Sequence, residues 1–266
     1  MGMLDEVAIA AGETDSGSTA VAGWVHSVET AGTSDGPGVR YVLFLAGCPL
    51  RCLYCHNPDT RHMHDGKYTS SAAAVAEIAS YTGFLKRAGG GVTLSGGEPL
   101  VQPEFVAAVL RGCKEHGLHT ALDTSGFLGA HASDALLADL DLVLLDIKAF
   151  DEARYRRLTG VPLRPTLELA ERLAEMRKPL WLRYVLVPGL TDDLAEIDRL
   201  AEFAAGLGNV ERVDVLPFHK LGEFKWRELA LSYQLYDTEP PDPGLVRRVR
   251  GILAARGLKV TGLNSP

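Results

Sequence analysis

The chain has 266 residues, 46% of them hydrophobic, enough to bury the core of a large α/β domain. Its 27 basic and 34 acidic residues leave a formal net charge of −7, which disfavours a nucleic acid held mainly through its phosphates. No apolar run approaches the ~20 residues that cross a bilayer, and the N-terminus lacks the basic-then-apolar layout of a signal peptide, so a cytoplasmic protein with no membrane partner is expected.

Residues 1–20 are rich in Ala, Gly, Ser, Thr and acids without a sustained period and read as a flexible tail, with one domain over 21–266. Thr33-Ser34-Asp35-Gly36-Pro37-Gly38 is a turn-forming run that sets an irregular backbone before a strand. It reads as a plain connection or as a loop whose backbone and Asp35 face a ligand. From there strands and helices alternate. Strands are predicted over Val39–Leu45, Gly91–Leu94, His119–Leu122, Leu142–Ile147, Trp181–Val187 and Arg212–Leu216. Helices are predicted over Ser70–Lys86, Pro103–His116, Ser133–Ala138, Pro165–Met176, Asp192–Ala205 and Pro243–Ala255. Apolar strands separated by helices imply a parallel sheet covered by helices, barrel-like or doubly wound, with its site at the carboxyl ends of the strands.

The first of those strand ends carries Gly47-Cys48-Pro49-Leu50-Arg51-Cys52-Leu53-Tyr54-Cys55-His56, which places three of the four cysteines within eight residues. A structural zinc site closes four ligands around its metal, whereas three thiolates on a cubane iron-sulfur cluster leave one iron open. Zinc held by Cys48, Cys52, Cys55 and His56 stays open as an alternative, although adjacent ligands strain a tetrahedral site.

The later strands end in Ser95-Gly96-Gly97-Glu98-Pro99, Asp123-Thr124-Ser125-Gly126, Asp146-Ile147-Lys148 and Pro217-Phe218-His219-Lys220, and the fifth carries Arg183. The paired glycines would let a ligand approach the backbone. Asp146 and Lys148 share a face at period two. Two carboxylates meeting in one pocket need cationic company, which a ligand, a bound cation or Lys148 would supply.

Cys48-x3-Cys52-x2-Cys55 with Tyr54 before the last cysteine, followed by Gly96-Gly97-Glu98-Pro99, resembles the radical S-adenosylmethionine (SAM) superfamily. Asp35-Gly36-Pro37-Gly38-Val39-Arg40, Cys55-His56-Asn57-Pro58-Asp59, Gly89-Gly90-Gly91-Val92-Thr93 and Leu118 to Thr124 resemble, within it, the pyruvate formate-lyase activating enzymes. So do Trp181 to Val185 and Leu216 to His219.

The resemblance implies a partial (β/α)6 barrel of the TIM type and a 4Fe-4S cluster on Cys48, Cys52 and Cys55, with SAM chelating the open iron. By motif position it implies SAM contacts from Tyr54, Cys55, His56, Gly97, Asp146, Ile147, Lys148 and His219. It further implies a monovalent cation near Asp123, Thr124 and Asp146, and contact of the Asp35 loop with the target protein. The implied activity is anaerobic activation of pyruvate formate-lyase (formate C-acetyltransferase). One electron from flavodoxin or ferredoxin cleaves SAM to methionine and a 5'-deoxyadenosyl radical, which takes a glycine α-hydrogen. The enzyme is expected to act as a monomer. Activation of another glycyl radical enzyme is the alternative target, and a zinc-binding interaction protein the alternative class. Cys113, on a predicted helix, reads as a small core residue.

Overall fold

The computed structural model describes residues 21–262, and the expected tail over 1–20 lies outside the described residues. Strands β1 (Ala22–Gly32), β2 (Arg40–Leu45), β3 (Lys67–Ser70), β4 (Gly91–Gly96), β5 (His119–Thr124), β6 (Leu142–Asp146), β7 (Leu180–Leu186) and β8 (Val210–Pro217) form one eight-stranded sheet. Its order is β3-β1-β2-β4-β5-β6-β7-β8. The strands expected from the sequence are β2 and β4 to β8, which pair in parallel and in chain order. A doubly wound sheet reverses its order part-way; unbroken progression is that of a barrel wall. β3 and β8 are the two edges and do not pair with each other, so the barrel is partial.

Side chains alternate between the two faces. Leu94, Leu122, Val143, Leu145 and Leu182 point outward into the main core beneath the helices. Ala121, Leu142 and Leu144 pack with Trp181 in a second, smaller cluster inside the barrel. Arg212 covers the Trp181 ring at 4.1 Å. Toward the carboxyl ends the same inward face turns polar, through Ser95, Asp123, Asp146 and Arg183.

Arg40, at the start of β2, is fully buried. Its Nε donates to Thr93 Oγ1 at 2.9 Å, and its Nη1 lies 3.2 Å from His119 Nδ1. Thr93 Oγ1 in turn donates to the Asp35 carbonyl at 2.6 Å, which draws the 33–38 loop against the sheet. Glycine is required where that loop passes the next one: a Cβ on Gly38, whose φ is +65°, would stand 2.3 Å from the Gly89 carbonyl oxygen.

The helices are α1 (Ser71–Ser80), α2 (Thr82–Arg87), α3 (Pro103–Glu115), α4 (Asp134–Ala138), α5 (Glu152–Thr159), α6 (Arg164–Glu175), α7 (Leu194–Leu207), α8 (Glu223–Glu228) and α9 (Pro243–Ala255). The single helix expected over Ser70–Lys86 is two, because the chain turns at Tyr81, which ends α1 and precedes α2. β1, β3, α5 and α8 were not expected from the sequence. β1 alternates in burial only over its first five residues, with a glycine at one of the two buried positions there, and is exposed through the next five, so its hydrophobic period is too short to read. α5 is strongly polar, yet it carries both end signals: Asp151 accepts from Arg154 N, and Gly160 closes it at φ +81°.

Candidate active site

The cysteine loop leaves β2 through Gly47, at φ +95°. Gly47 N donates to the Thr60 carbonyl at 2.7 Å and Cys48 N to that of Arg61 at 3.1 Å. On its other flank the loop is stitched to the end of α5, Arg51 N to Thr159 O at 2.7 Å and Leu53 N to Leu158 O at 3.0 Å. Residues 219–226 hold its far end. The Trp226 indole donates to the Cys55 carbonyl at 2.8 Å, and Lys225 Nζ lies 2.9 Å from Asp59 Oδ2. His56 Nε2 lies 3.1 Å from the His219 carbonyl, with the two rings 4.2 Å apart.

These contacts turn the three thiols toward a cavity of about 460 Å³ at the carboxyl ends of the strands. Of the residues expected at the site, Asp35, Cys48, Cys52, Tyr54, Cys55, His56, Gly97, Asp123, Thr124, Asp146, Lys148 and His219 all line it. Ile147 does not; its side chain is buried in the outward-facing core, as its position between Asp146 and Lys148 demands. Its backbone amide is spent within the sheet, donating to the Arg183 carbonyl at 3.2 Å.

The charges explain how two carboxylates share the cavity. Arg183 Nη1 lies 3.1 Å from Asp123 Oδ1, close enough for an ion pair but without hydrogen-bond alignment. Its Nε lies 3.9 Å from Asp146, and Lys148 Nζ lies 3.2 Å from the same carboxylate. Burial pushes the Asp123 carboxyl up to about 6 against the pull of Arg183. Burial acts on Asp146 in the same sense, but Lys148 and Arg183 outweigh it and hold that carboxyl below the usual range. Arg183 was noted on its strand in the sequence without a site role; its register opposite Asp146 sets it between the two carboxylates, as the counter-charge of Asp123 and a second one, after Lys148, for Asp146.

The residues expected to flank a cation are therefore already engaged. Ser95 Oγ donates to Asp123 Oδ2 at 2.7 Å, and Thr124 Oγ1 donates to Glu98 Oε1 at 2.7 Å. Glu98, fully buried, also accepts from Ser125 N at 2.9 Å, Ser125 Oγ at 2.5 Å and Leu100 N at 3.2 Å. It ties the β4 turn to the β5 turn, a role its position in the glycine motif did not reveal.

The paired glycines serve the protein's own packing as well as the cavity. A Cβ on Gly96, at φ +122°, would stand 2.2 Å from Leu45 N, and one on Gly97 would stand 2.3 Å from the Gly47 carbonyl oxygen. Gly97 N is spent on Leu45 O at 2.8 Å. The turn lies flat against the root of the cysteine loop, so the two walls of the cavity are one backbone assembly.

Residues 42–204 match the radical SAM superfamily. The chain is 45% identical over 242 residues to the pyruvate formate-lyase 1-activating enzyme of Escherichia coli strain K12, covering 90% of this chain and 98% of the relative. The chain belongs to the radical SAM superfamily. It is likewise 45% identical, over 233 residues, to the pyruvate formate-lyase-activating enzyme of Staphylococcus epidermidis, covering 85% of this chain and 92% of that one. A solved domain of a pyruvate formate-lyase-activating enzyme from Bacteroides vulgatus superposes with a TM-score of 0.53 at 30% identity, over 65% of this chain and 98% of that one.

Radical SAM membership implies a 4Fe-4S cluster and SAM, and the donor set here fits both. Burial pushes the Cys48 thiol up to about 11 and the Cys52 thiol up to about 12. The His56 ring turns to the His219 carbonyl, 3.1 Å from its Nε2. That geometry disfavours a Cys3His zinc site. A cavity of this size suits a cofactor as large as SAM, and the cationic Arg183 and Lys148 beside anionic Asp146 suit one carrying both amino and carboxylate groups. No described helix is long and apolar enough to cross a membrane.

Proposed function

We propose that this chain activates pyruvate formate-lyase by forming a glycyl radical on it. The observation that carries the reading is the convergence of three cysteine thiols with the β4, β6 and β8 strand ends on one cavity, in a radical SAM chain 45% identical to such activating enzymes over most of its length. When bound, the cluster and SAM supply one-electron cleavage of the sulfonium and, through it, removal of a glycine α-hydrogen.

The chain's own residues bind, orient and exclude. Cys48, Cys52 and Cys55 hold the cluster. Tyr54, His56, Gly97, Asp146, Lys148, His219 and the Ile147 backbone surround SAM. Lys148 and Arg183 receive its carboxylate side, and the tilted His56 and His219 rings line the wall beside it. Asp35, brought to the cavity by the Thr93 contact, meets the incoming glycine segment, whose lack of a Cβ lets its backbone enter a narrow site. The open side of the barrel admits that segment. A monovalent cation at Asp123, Thr124 and Asp146 belongs to the same reading and requires Arg183 to withdraw from Asp123. Flavodoxin or ferredoxin supplies the electron to a cytoplasmic, monomeric enzyme whose residues 21–266 form one domain.

The test is anaerobic reconstitution with iron and sulfide, reduction, and addition of SAM and pyruvate formate-lyase. A glycyl radical doublet in the electron paramagnetic resonance spectrum is expected, with SAM cleavage lost on Cys48→Ala, Cys52→Ala or Cys55→Ala. Cleavage of SAM without the doublet would remove pyruvate formate-lyase as the target, and stoichiometric zinc without cleavage would remove the enzyme reading.

A further inference from the structure

Each of the three cavity cysteines has its main-chain carbonyl capped by a side chain from outside the cavity. Arg51 Nη1 donates to Cys48 O at 2.7 Å, Arg61 Nη2 to Cys52 O at 3.1 Å and Trp226 Nε1 to Cys55 O at 2.8 Å. The Arg61 main chain also receives the Cys48 amide, so this one residue grips two of the cysteines. Its guanidinium lies over the Trp226 ring at 4.5 Å, and its buried Nε has no hydrogen-bond partner. Neither guanidinium forms an ion pair among the described residues, in contrast to Lys225 on Asp59 or Arg154 on Glu196. Two uncompensated positive charges thus stand behind the thiol-bearing loop.

We propose that Arg51 and Arg61 are positioning residues that set the reduction potential of the cluster, through fixed positive charge and carbonyl hydrogen bonds at its cysteines. The inference rests on the cluster reading above. One-electron reduction adds a negative charge to the cluster and its thiolates, and a nearby cation stabilises that state over the oxidised one. The effect is strong for Arg61, which is partly buried and stacked on an indole, and weak for Arg51, which is exposed and screened by salt. Carbonyl capping adds to it by drawing electron density from the ligating residues.

The experiment is a redox titration of the reconstituted protein, following the paramagnetic reduced cluster. Arg61→Gln, which preserves bulk and a donor but removes the charge, is expected to lower the ratio of reduced to oxidised cluster at a fixed potential about tenfold. Arg61→Lys is expected to restore most of it. Arg51→Gln is expected to lower the ratio about threefold at low salt, with the difference fading as salt is added. Full iron and sulfide with an unchanged midpoint in Arg61→Gln overturns the proposal. Should Arg61→Gln fail to hold iron, Arg51→Gln decides: a salt-sensitive shift supports the proposal and an unmoved midpoint overturns it. A protein that takes up no cluster in any form refutes the cofactor reading instead.

Discussion

Replacing Glu98 by alanine measures how far the cavity depends on one buried acceptor. The side chain is 1% exposed and receives four hydrogen bonds, from Leu100 N, Thr124 Oγ1, Ser125 N and Ser125 Oγ. The two hydroxyls can turn to other acceptors, but the two amides are fixed by the backbone. A buried amide left without a partner costs about 1–3 kcal/mol, and deleting the carboxyl arm adds a cavity term, so Glu98→Ala should destabilise the fold by about 3–5 kcal/mol. Glu98→Gln keeps one acceptor oxygen but turns an NH2 group toward donors, for a loss of about 1–3 kcal/mol. The assay is urea unfolding of the metal-free, reduced protein followed by far-ultraviolet circular dichroism. Glu104→Ala, at an exposed position in the first turn of α3, is the control and should change stability by less than about 0.5 kcal/mol. A Glu98→Ala loss below about 1 kcal/mol would mean that the four contacts do not hold the β4 and β5 turns together.

Gly97→Ala should reduce iron uptake on reconstitution, because its Cβ must displace the Gly47 backbone at the root of the cysteine loop. Gly206→Ala, within α7 and with no atom within 4 Å of its added Cβ, should leave iron uptake unchanged and raise stability by about 0.5–1 kcal/mol. Cys113 is fully buried and its thiol is pushed up to about 12 by that burial, so mass-spectrometric mapping should find it unalkylated in the native protein and labelled once urea unfolds the chain. Asp193 caps α7 through Ala195 N and Glu196 N and also meets Arg154, so Asp193→Ala should cost about 1–2 kcal/mol in the same urea assay.

The parallel strands were legible because each is a short apolar run between helical segments, and buried strands of that kind advertise themselves. β1 and β3 were not, because an antiparallel ribbon at a sheet edge is held by its partner's backbone; β3 is Lys67 to Ser70, with exposed Tyr68 and no buried residue. The site was legible one strand end at a time, since chemistry-bearing residues recur where each run stops. What the sequence hides is distance between those ends. Nothing in the order of residues says that Arg183 stands across from Asp146, or that Glu98 reaches Thr124 and Ser125, since register is decided by pairing. Ile147 shows the reverse case, a motif position whose side chain strand alternation turns away from the cavity.

The clasp between the cysteine loop and the Trp226 segment joins residues 171 positions apart. Closing a loop of that span costs more chain entropy than closing a local one, so the contact is favoured once the strands between its ends are in place. During synthesis the loop and all three thiols emerge long before the segment that fixes their far end. The nascent chain therefore carries reactive thiols on an unfastened loop, and a shape ready for metal exists only once α8 has left the ribosome. On the cluster reading proposed above, delivery would come late in assembly, timed by chain order as much as by iron supply.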